Sequence, residues 1–173
     1  MASEDVPTTF AQAWERSVEA RSDETFLIFE GLDGRTVQWT YGDFDLLVAR
    51  TAGLLVAKGV TPGDCVHVAL ANCPAFVAVW LASVRLGAWF VPSDPMGGVD
   101  ELAGHIARTR PVVGFCASAR AEVYRRACGP IGVVEIDESA VDLDVMGTDS
   151  LKDWPVPGPT DRAAVMFTSG TTG

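Results

Sequence analysis

The segment CVHVALANCPAFVAVWLASVRLGAWFVP, residues 65–92, decides the fold class. It opens on a run, residues 65–71, that is apolar except for His67 and is typical of a buried strand. Pro74 suits the first position of a helix, and the apolar residues after it extend that helix to Gly87. A second apolar strand, residues 88–92, follows the glycine. The segment therefore predicts a β–α–β unit of a parallel sheet.

The same alternation of helices and strands continues on both sides of this unit. Upstream, residues 8–21 have helical periodicity, and the runs TFLIFE and RTVQWT flank a glycine-rich turn that is typical of a hairpin. Thr40 and Asp43 then predict the start of a long helix, as N-cap and first-turn carboxylate. Downstream, helices at residues 98–109 and 118–128 alternate with the strands PVVGFC and VVEID. Repeated units of this kind predict an α/β fold with a mostly parallel sheet and helices on both faces.

The last part of the sequence predicts a different organisation. Residues 138–160 are irregular and proline-rich, and the apolar run AAVMF at residues 163–167 predicts a buried strand. We expect everything from residue 138 onward to be loosely attached. The expected division of the 173 residues is a leading helix (1–25), an α/β unit (26–137), an irregular connection (138–162) and a final strand with the start of a loop (163–173).

Composition narrows the function classes. The formal charge of −10 argues against a nucleic-acid partner, because phosphate backbones bind to basic faces. Neither a signal peptide nor a transmembrane segment is visible, and we expect a cytoplasmic protein. The four cysteines lack C-x-x-C spacing, so we expect no metal site. His67 and His105 are far apart in sequence and have no acidic partner at ligand spacing, which indicates packing or surface roles.

The sequence TSGTTG, residues 168–173, is the candidate binding element. Glycines permit positive φ angles that let successive backbone N–H groups converge, and each hydroxyl adds a donor. Such a loop at the carboxyl end of a parallel strand predicts a neutral cradle for a polyphosphate, with a plain polar turn as the alternative. The Walker and dinucleotide-binding glycine patterns are not met. The candidate residues are Thr168, Ser169, Gly170, Thr171, Thr172 and Gly173.

Three motifs together resemble one family. The stretch AAVMFTSGTTG, residues 163–173, is similar to the phosphate-binding motif of the adenylate-forming enzymes, which include acyl-CoA synthetases, peptide-synthetase adenylation domains and luciferases. WTYGDF, residues 39–44, resembles the first core motif of that family, and RLGAWFVPSDP, residues 85–95, resembles the second. The resemblance extends over nearly the whole sequence from about Phe26. It implies the amino-terminal α/β portion of the adenylate-forming synthetase fold, which is incomplete here.

The resemblance also implies a two-step reaction. A substrate carboxylate attacks the α-phosphate of Mg²⁺-bound ATP. The products of this first step are an acyl-adenylate and pyrophosphate. Coenzyme A then takes the acyl group. Residues 168–173 match the loop that holds the β- and γ-phosphates for in-line attack. In the second motif Gly87, Pro92 and Asp94 match, and we interpret them as structural, with a catalytic Asp94 as the less favoured alternative.

The sequence departs from the family pattern at its end. The family's loop continues through a Pro-Lys-Gly stretch, and Lys58 and Lys152 match none of the family's functional lysines. We therefore assign no catalytic residue and no metal ligand within the 173 residues. We expect the 173 residues to be the amino-terminal part of a longer acyl-CoA ligase and to be inactive alone. Three alternatives remain open: an amino-acid adenylation domain of a peptide synthetase, a non-catalytic α/β binding module, and a Rossmann-type domain with a coincidental loop.

Overall fold

The computed structural model describes residues 9–31, 34–140, 143 and 146–168. Helices and strands alternate through most of this range, as the sequence predicts. Their bounds, in chain order, are α1 (Phe10–Arg21), β1 (Thr25–Glu30), β2 (Thr36–Thr40), α2 (Tyr41–Ala57), β3 (Cys65–Ala69), α3 (Pro74–Arg85), β4 (Trp89–Pro92), α4 (Val99–Thr109), β5 (Val113–Ala117), α5 (Ala121–Cys128, after a 3₁₀ turn at Ser118–Arg120) and β6 (Gly132–Ile136).

Two sheets result from these strands. β1 and β2 form the predicted antiparallel hairpin. The other four strands form a parallel sheet in the order β4-β3-β5-β6, so that β3 lies between β4 and β5. Strand β3 is buried along its whole length, and so is β5. The mostly parallel α/β fold is thus confirmed.

The parallel sheet is covered on both faces. On one face Val66, Val68 and Phe115 join a large apolar cluster with side chains of α2 and α3. On the other face Ala69 and Cys116 contact the apolar side of α4 and α5. Alternate residues of each strand therefore point to different helical layers, as the geometry of a strand requires.

Helix α2 begins where the sequence predicts. The Thr40 hydroxyl accepts a hydrogen bond from the backbone N–H of Asp43 at 3.1 Å, and the Asp43 carboxylate reaches back to the Thr40 N–H. Helix α1 starts in the same way at Thr9 and Gln12. Both caps satisfy backbone donors that would otherwise lack partners at the helix start.

A buried charge cluster joins the first three helices. The Arg85 guanidinium donates to Asp45 Oδ1 at 2.6 Å, and the Trp14 indole N–H donates to the same oxygen at 2.7 Å. Arg85 also stacks on the ring of Trp154, with 3.8 Å from its guanidinium carbon to the ring centroid. These contacts bring α1, α2, α3 and the proline-rich segment to one point.

The segment between β6 and residue 163 crosses the outside of the α2–α3 layer; we call it the strap, residues 137–162. Met146 is buried in the large apolar cluster, and Leu151 and Trp154 pack against that cluster. The Leu151 N–H donates to the carbonyl of Ala49 at 3.0 Å. Gly53 permits this approach, because a Cβ there would overlap the carbonyl oxygen of Asp149. The prediction that this region is loosely attached is therefore wrong for its described residues up to 162.

The final predicted strand is also different in the structure. Residues 163–167 make a single parallel bridge between Ala164 and Phe90, with two backbone hydrogen bonds of 3.0 Å. Ala163, Ala164 and Met166 are exposed, so the prediction of a buried strand is wrong. The apolar pattern indicated burial, but β4 is the only strand beside this segment in the described residues, and burial on both faces needs further cover.

None of the helices in the described ranges combines the length and apolar character needed to cross a bilayer.

Two helix-interior glycines provide a matched test of the strap. A Cβ at Gly104 in α4 would meet open space. Gly104→Ala should therefore stabilise the protein by about 0.5–1 kcal/mol, because alanine has the higher helix propensity. Gly53→Ala should instead destabilise it by roughly 1–3 kcal/mol, because the new Cβ displaces the strap. Urea unfolding of both variants measures the difference. Equal stabilisation by both substitutions would contradict the close packing of the strap on α2.

Candidate phosphate-binding edge of the sheet

The candidate site lies at the carboxyl end of β4. This strand ends at Pro92, and the segment beside it, which pairs at Ala164, leads to Thr168. A cavity of about 200 Å³ opens here, lined by Pro92, Ser93, Asp94, Glu101, His105, Phe167 and Thr168. Ligands of open α/β sheets bind at this edge because the loops after the strands converge there.

The structure places only the first of the predicted loop residues. Thr168 is exposed and lines the cavity. Ser169, Gly170, Thr171, Thr172 and Gly173 lie outside the described residues. The predicted position of the loop, at the carboxyl end of the sheet, holds for its first residue.

The residues of the second motif have the contacts that structural roles require. The Asp94 carboxylate accepts the backbone N–H of Met96 at 2.8 Å, and its carbonyl accepts the N–H of Gly97 at 3.0 Å. Asp94 therefore shapes the turn before α4. Gly87 has a φ of 70° just after α3, which is the conformation expected at a helix end.

Four polar side chains behind the cavity form a continuous network, which we call the histidine network. His67 Nδ1 lies 2.7 Å from the Tyr124 hydroxyl, and His67 Nε2 lies 2.8 Å from Ser93 Oγ. Ser93 Oγ in turn lies 2.8 Å from His105 Nδ1. The network thus runs from the buried face of the sheet to the lining of the cavity.

The local sequence makes room for this network. His67 of β3 pairs with Gly114 of β5, on the face that α4 and α5 cover. A Cβ at Gly114 would overlap the Tyr124 hydroxyl, so only glycine lets that phenol reach His67. Ser93 is held at the end of β4 because its backbone N–H donates to the carbonyl of Val68 at 2.8 Å.

Burial keeps the network neutral. It lowers the pKa of His67 to about 4, with a smaller contribution from nearby His105. Burial also lowers the pKa of His105, where Arg108 acts in the same direction and Glu101 opposes it. The pKa of Tyr124 is raised, chiefly by burial. At neutral pH both imidazoles therefore act as hydrogen-bonding groups without charge.

The sequence predicted the packing roles of the two histidines but not the hydrogen-bond network that connects them. Packing roles are correct, since His67 is fully buried and His105 is half-buried. Their connection through Ser93 was missed, because residues 67, 93 and 105 meet only after the strands and α4 are placed. One signal was available: a histidine within an otherwise apolar strand needs buried polar partners.

The four cysteines are free and buried. Burial raises the pKa of Cys65 to about 12 and that of Cys116 to about 11, so both stay thiols. Within the described ranges, His, Cys, Asp and Glu form no group of three or more that could hold a metal ion.

A larger cavity of about 550 Å³ lies at the opposite end of β4, beside Trp89 and Arg162. The Arg162 guanidinium stacks on the Trp89 ring at 4.6 Å. We do not assign the site there, because this edge carries the amino ends of the strands.

Comparison with known proteins identifies the chain. The AMP-binding enzyme family matches residues 14–173. The chain belongs to this family. It is 30% identical over 175 residues to crotonobetaine/carnitine–CoA ligase of Citrobacter koseri, a match that covers 93% of this chain and 34% of the ligase. It is 28% identical over 169 residues to vanchrobactin synthetase VabF of Vibrio anguillarum, covering 95% of this chain and 6% of the synthetase.

A solved structure has the same fold. ATP-bound MatB from Rhodopseudomonas palustris superposes with a TM-score of 0.72 at 24% identity, over 94% of this chain and 33% of that one. The family match over residues 14–173 confirms the resemblance to the adenylate-forming enzymes. The chain spans about a third of the length of the ligase relative and of MatB.

The buried neutral His67 predicts a specific pH dependence of stability. The unfolded chain takes up a proton near pH 6.5 while the folded chain does so only near pH 4, so stability is lost as the pH falls between these values. Between pH 7 and pH 5 the loss from this group should be on the order of 2 kcal/mol.

Urea unfolding of the wild type and His67→Gln at several pH values isolates this contribution. The stability advantage of the wild type should shrink as the pH falls, since the variant lacks the titrating group. An advantage that is constant from pH 7 to pH 5 would contradict a buried neutral imidazole at this position.

Proposed function

We propose that the chain is the amino-terminal part of an ATP-dependent acid–thiol ligase. It activates a carboxylic acid as an acyl-adenylate, which is then transferred to coenzyme A. The observation that carries the proposal is the position of Thr168, the first residue of TSGTTG, at the carboxyl end of the sheet in a chain of the AMP-binding family. The carnitine–CoA ligase relative supports coenzyme A as the acceptor.

The proposed role of residues 168–173 is to hold the β- and γ-phosphates of ATP. Thr168 lines a cavity of about 200 Å³ at this edge, which fits a role at the start of a phosphate loop. The loop supplies neutral donors, so its contribution is orientation for in-line attack by the substrate carboxylate at the α-phosphorus. Hydrogen-bond donors that are preorganised around the phosphates stabilise the charge that develops on them in the transition state.

Magnesium, when it is bound with ATP, neutralises charge on the phosphates. We assign it no ligand within the described residues. We also assign no catalytic residue to the described part of the chain. The catalytic groups of the complete enzyme belong to the remaining two thirds that its relatives have.

We place the reaction in the cytoplasm. The four cysteines are free thiols, as is usual for proteins kept in a reducing compartment. The formal charge of −10 fits small-molecule substrates better than a nucleic acid.

The match to a peptide synthetase supports a second candidate, an amino-acid adenylation domain. The two candidates share the adenylation step and differ in the acid and in the acceptor thiol. ATP–pyrophosphate exchange by the complete protein, measured with a panel of fatty, small organic and amino acids, separates the acids. Transfer to free coenzyme A or to a carrier-protein thiol separates the acceptors. Exchange with amino acids alone would overturn the ligase proposal in favour of the second candidate.

The phosphate-loop assignment predicts unequal effects of two substitutions in the complete protein. Valine disfavours the positive φ angles that glycine permits and adds bulk where the proposal puts a phosphate, so Gly170→Val should reduce exchange by at least about a hundredfold. Ser169→Ala removes one neutral donor worth about 0.5–1.5 kcal/mol, so exchange should fall only about 2- to 12-fold. Near-wild-type exchange in both variants would mean that the loop is a plain turn.

A further inference from the structure

His105 links the histidine network to the segment that leads into the loop. Its imidazole stacks on the ring of Phe167 with 3.8 Å between ring centroids and 6° between the ring planes. Phe167 directly precedes Thr168, and both line the cavity together with His105. The stack therefore joins α4 to the last described residues of the chain.

Other contacts hold this segment only weakly. Two backbone hydrogen bonds attach it to Phe90, and Ala163, Ala164 and Met166 are exposed. Phe167 is half-buried, and its ring faces His105. The stack on His105 therefore adds a side-chain contact to the two backbone hydrogen bonds that fix this short segment.

The hydrogen bonds of the network have one consistent direction. In one arrangement of the protons, Tyr124 donates to His67 Nδ1, His67 Nε2–H donates to Ser93, and Ser93 donates to His105 Nδ1, between atoms that lie 2.7–2.8 Å apart. This arrangement gives every shared proton an acceptor. Any other leaves the tyrosine or the serine proton without an acceptor among the described residues.

The direction fixes the state of His105. Its Nδ1 accepts from Ser93, so its proton is on Nε2 and the ring is neutral. Protonation at Nδ1 would require Ser93 to accept two hydrogen bonds and lose its own acceptor. The charged groups around this ring are Glu101 and Arg108 on α4 and, across the cavity, the carboxylate of Asp94.

We propose that His105 is a positioning residue for Phe167 and Thr168, where the chain enters the sequence TSGTTG. Its ring, held in one orientation by Ser93, sets the position of Phe167 and thereby of Thr168 at the cavity. Only the identity of the ligand, a polyphosphate, rests on the proposed function. The positioning itself is a property of the chain described above.

The first test is the protonation of the two histidines. They are the only histidines in the sequence, so a sample labelled with ¹⁵N in histidine gives four assignable ring nitrogens. At pH 7.5 we expect both rings to be neutral with the proton on Nε2, and the His105 ring protons to be shifted upfield by Phe167. Phe167→Leu should remove that upfield shift and leave the tautomer unchanged. A proton on His105 Nδ1, or ring protons that do not respond to Phe167→Leu, overturns the proposal.

The second test follows the loop itself. The backbone amide of Thr168 should show a lower heteronuclear NOE in His105→Ala than in the wild type, because the stack is lost. His105→Phe restores a flat ring and should recover part of the NOE. Ser93→Ala keeps the stack but should give His105 a mixed tautomer. Backbone amides of β3 and β5 report whether each variant is folded. An unchanged Thr168 amide in folded His105→Ala overturns the proposal.

The third test uses the complete protein and ATP–pyrophosphate exchange. A misplaced loop should lower kcat roughly tenfold to a hundredfold in His105→Ala, with little change in KM for the carboxylic acid and partial rescue in His105→Phe. If the wild type shows no exchange at all, the proposed function fails while the two NMR tests still decide the positioning. If the wild type is active and His105→Ala matches it, the positioning fails and the function stands.

Discussion

A strand at the centre of a parallel sheet must be covered on both faces, and the structure depends on how β3 meets this requirement. Val66 and Val68 are covered by the α2–α3 layer, while Ala69 packs with residues of α4 and α5. His67 lies on the second face and is fully buried. Its two nitrogens therefore need protein partners, and Tyr124 and Ser93 provide them. The need to satisfy one buried polar side chain thus connects the interior of the sheet to the candidate site.

The opposite face depends on a buried charge. Arg85 has 8% of its side chain exposed, and it is stabilised by Asp45, by the ring of Trp154 and more weakly by Glu15 at 3.5 Å. Removing one partner of such a pair is costly, since it leaves the other charge buried alone. The cluster also fixes the position of α1, because Trp14 shares the carboxylate of Asp45. The polar groups on the two faces of the sheet therefore differ. Neutral hydrogen bonds satisfy the buried polar groups on one face, and an ion pair satisfies them on the other.

The sequence predicts local and repeated features well. The cap at Thr40, the proline at the start of α3 and the continuous apolar strands depend on neighbouring residues, and all are found as expected. Features that depend on distant residues are harder to predict. The run at residues 163–167 has a strand-like pattern, but its burial depends on what lies beside it. The strap has no periodicity in its sequence, yet its docking depends on Gly53 in α2. The helix pattern alone indicates only that a glycine there lowers the stability of the helix. The histidine network joins residues 67, 93, 105 and 124, and no local rule relates them.

The path of the strap has a consequence for folding. β6 lies at one edge of the sheet, and residue 164 pairs with β4 at the other, so the chain returns across the whole width of the sheet. The bridge to Phe90 spans 74 residues in sequence, and contacts of such high order form slowly because loop entropy opposes them. Once β6 has joined the sheet, only residues 137–163 remain to be closed, and docking at Ala49, at Gly53 and through the Trp154 ring divides this stretch into shorter loops. The helical layer therefore acts as a template, on which the last segment is guided to the sheet edge.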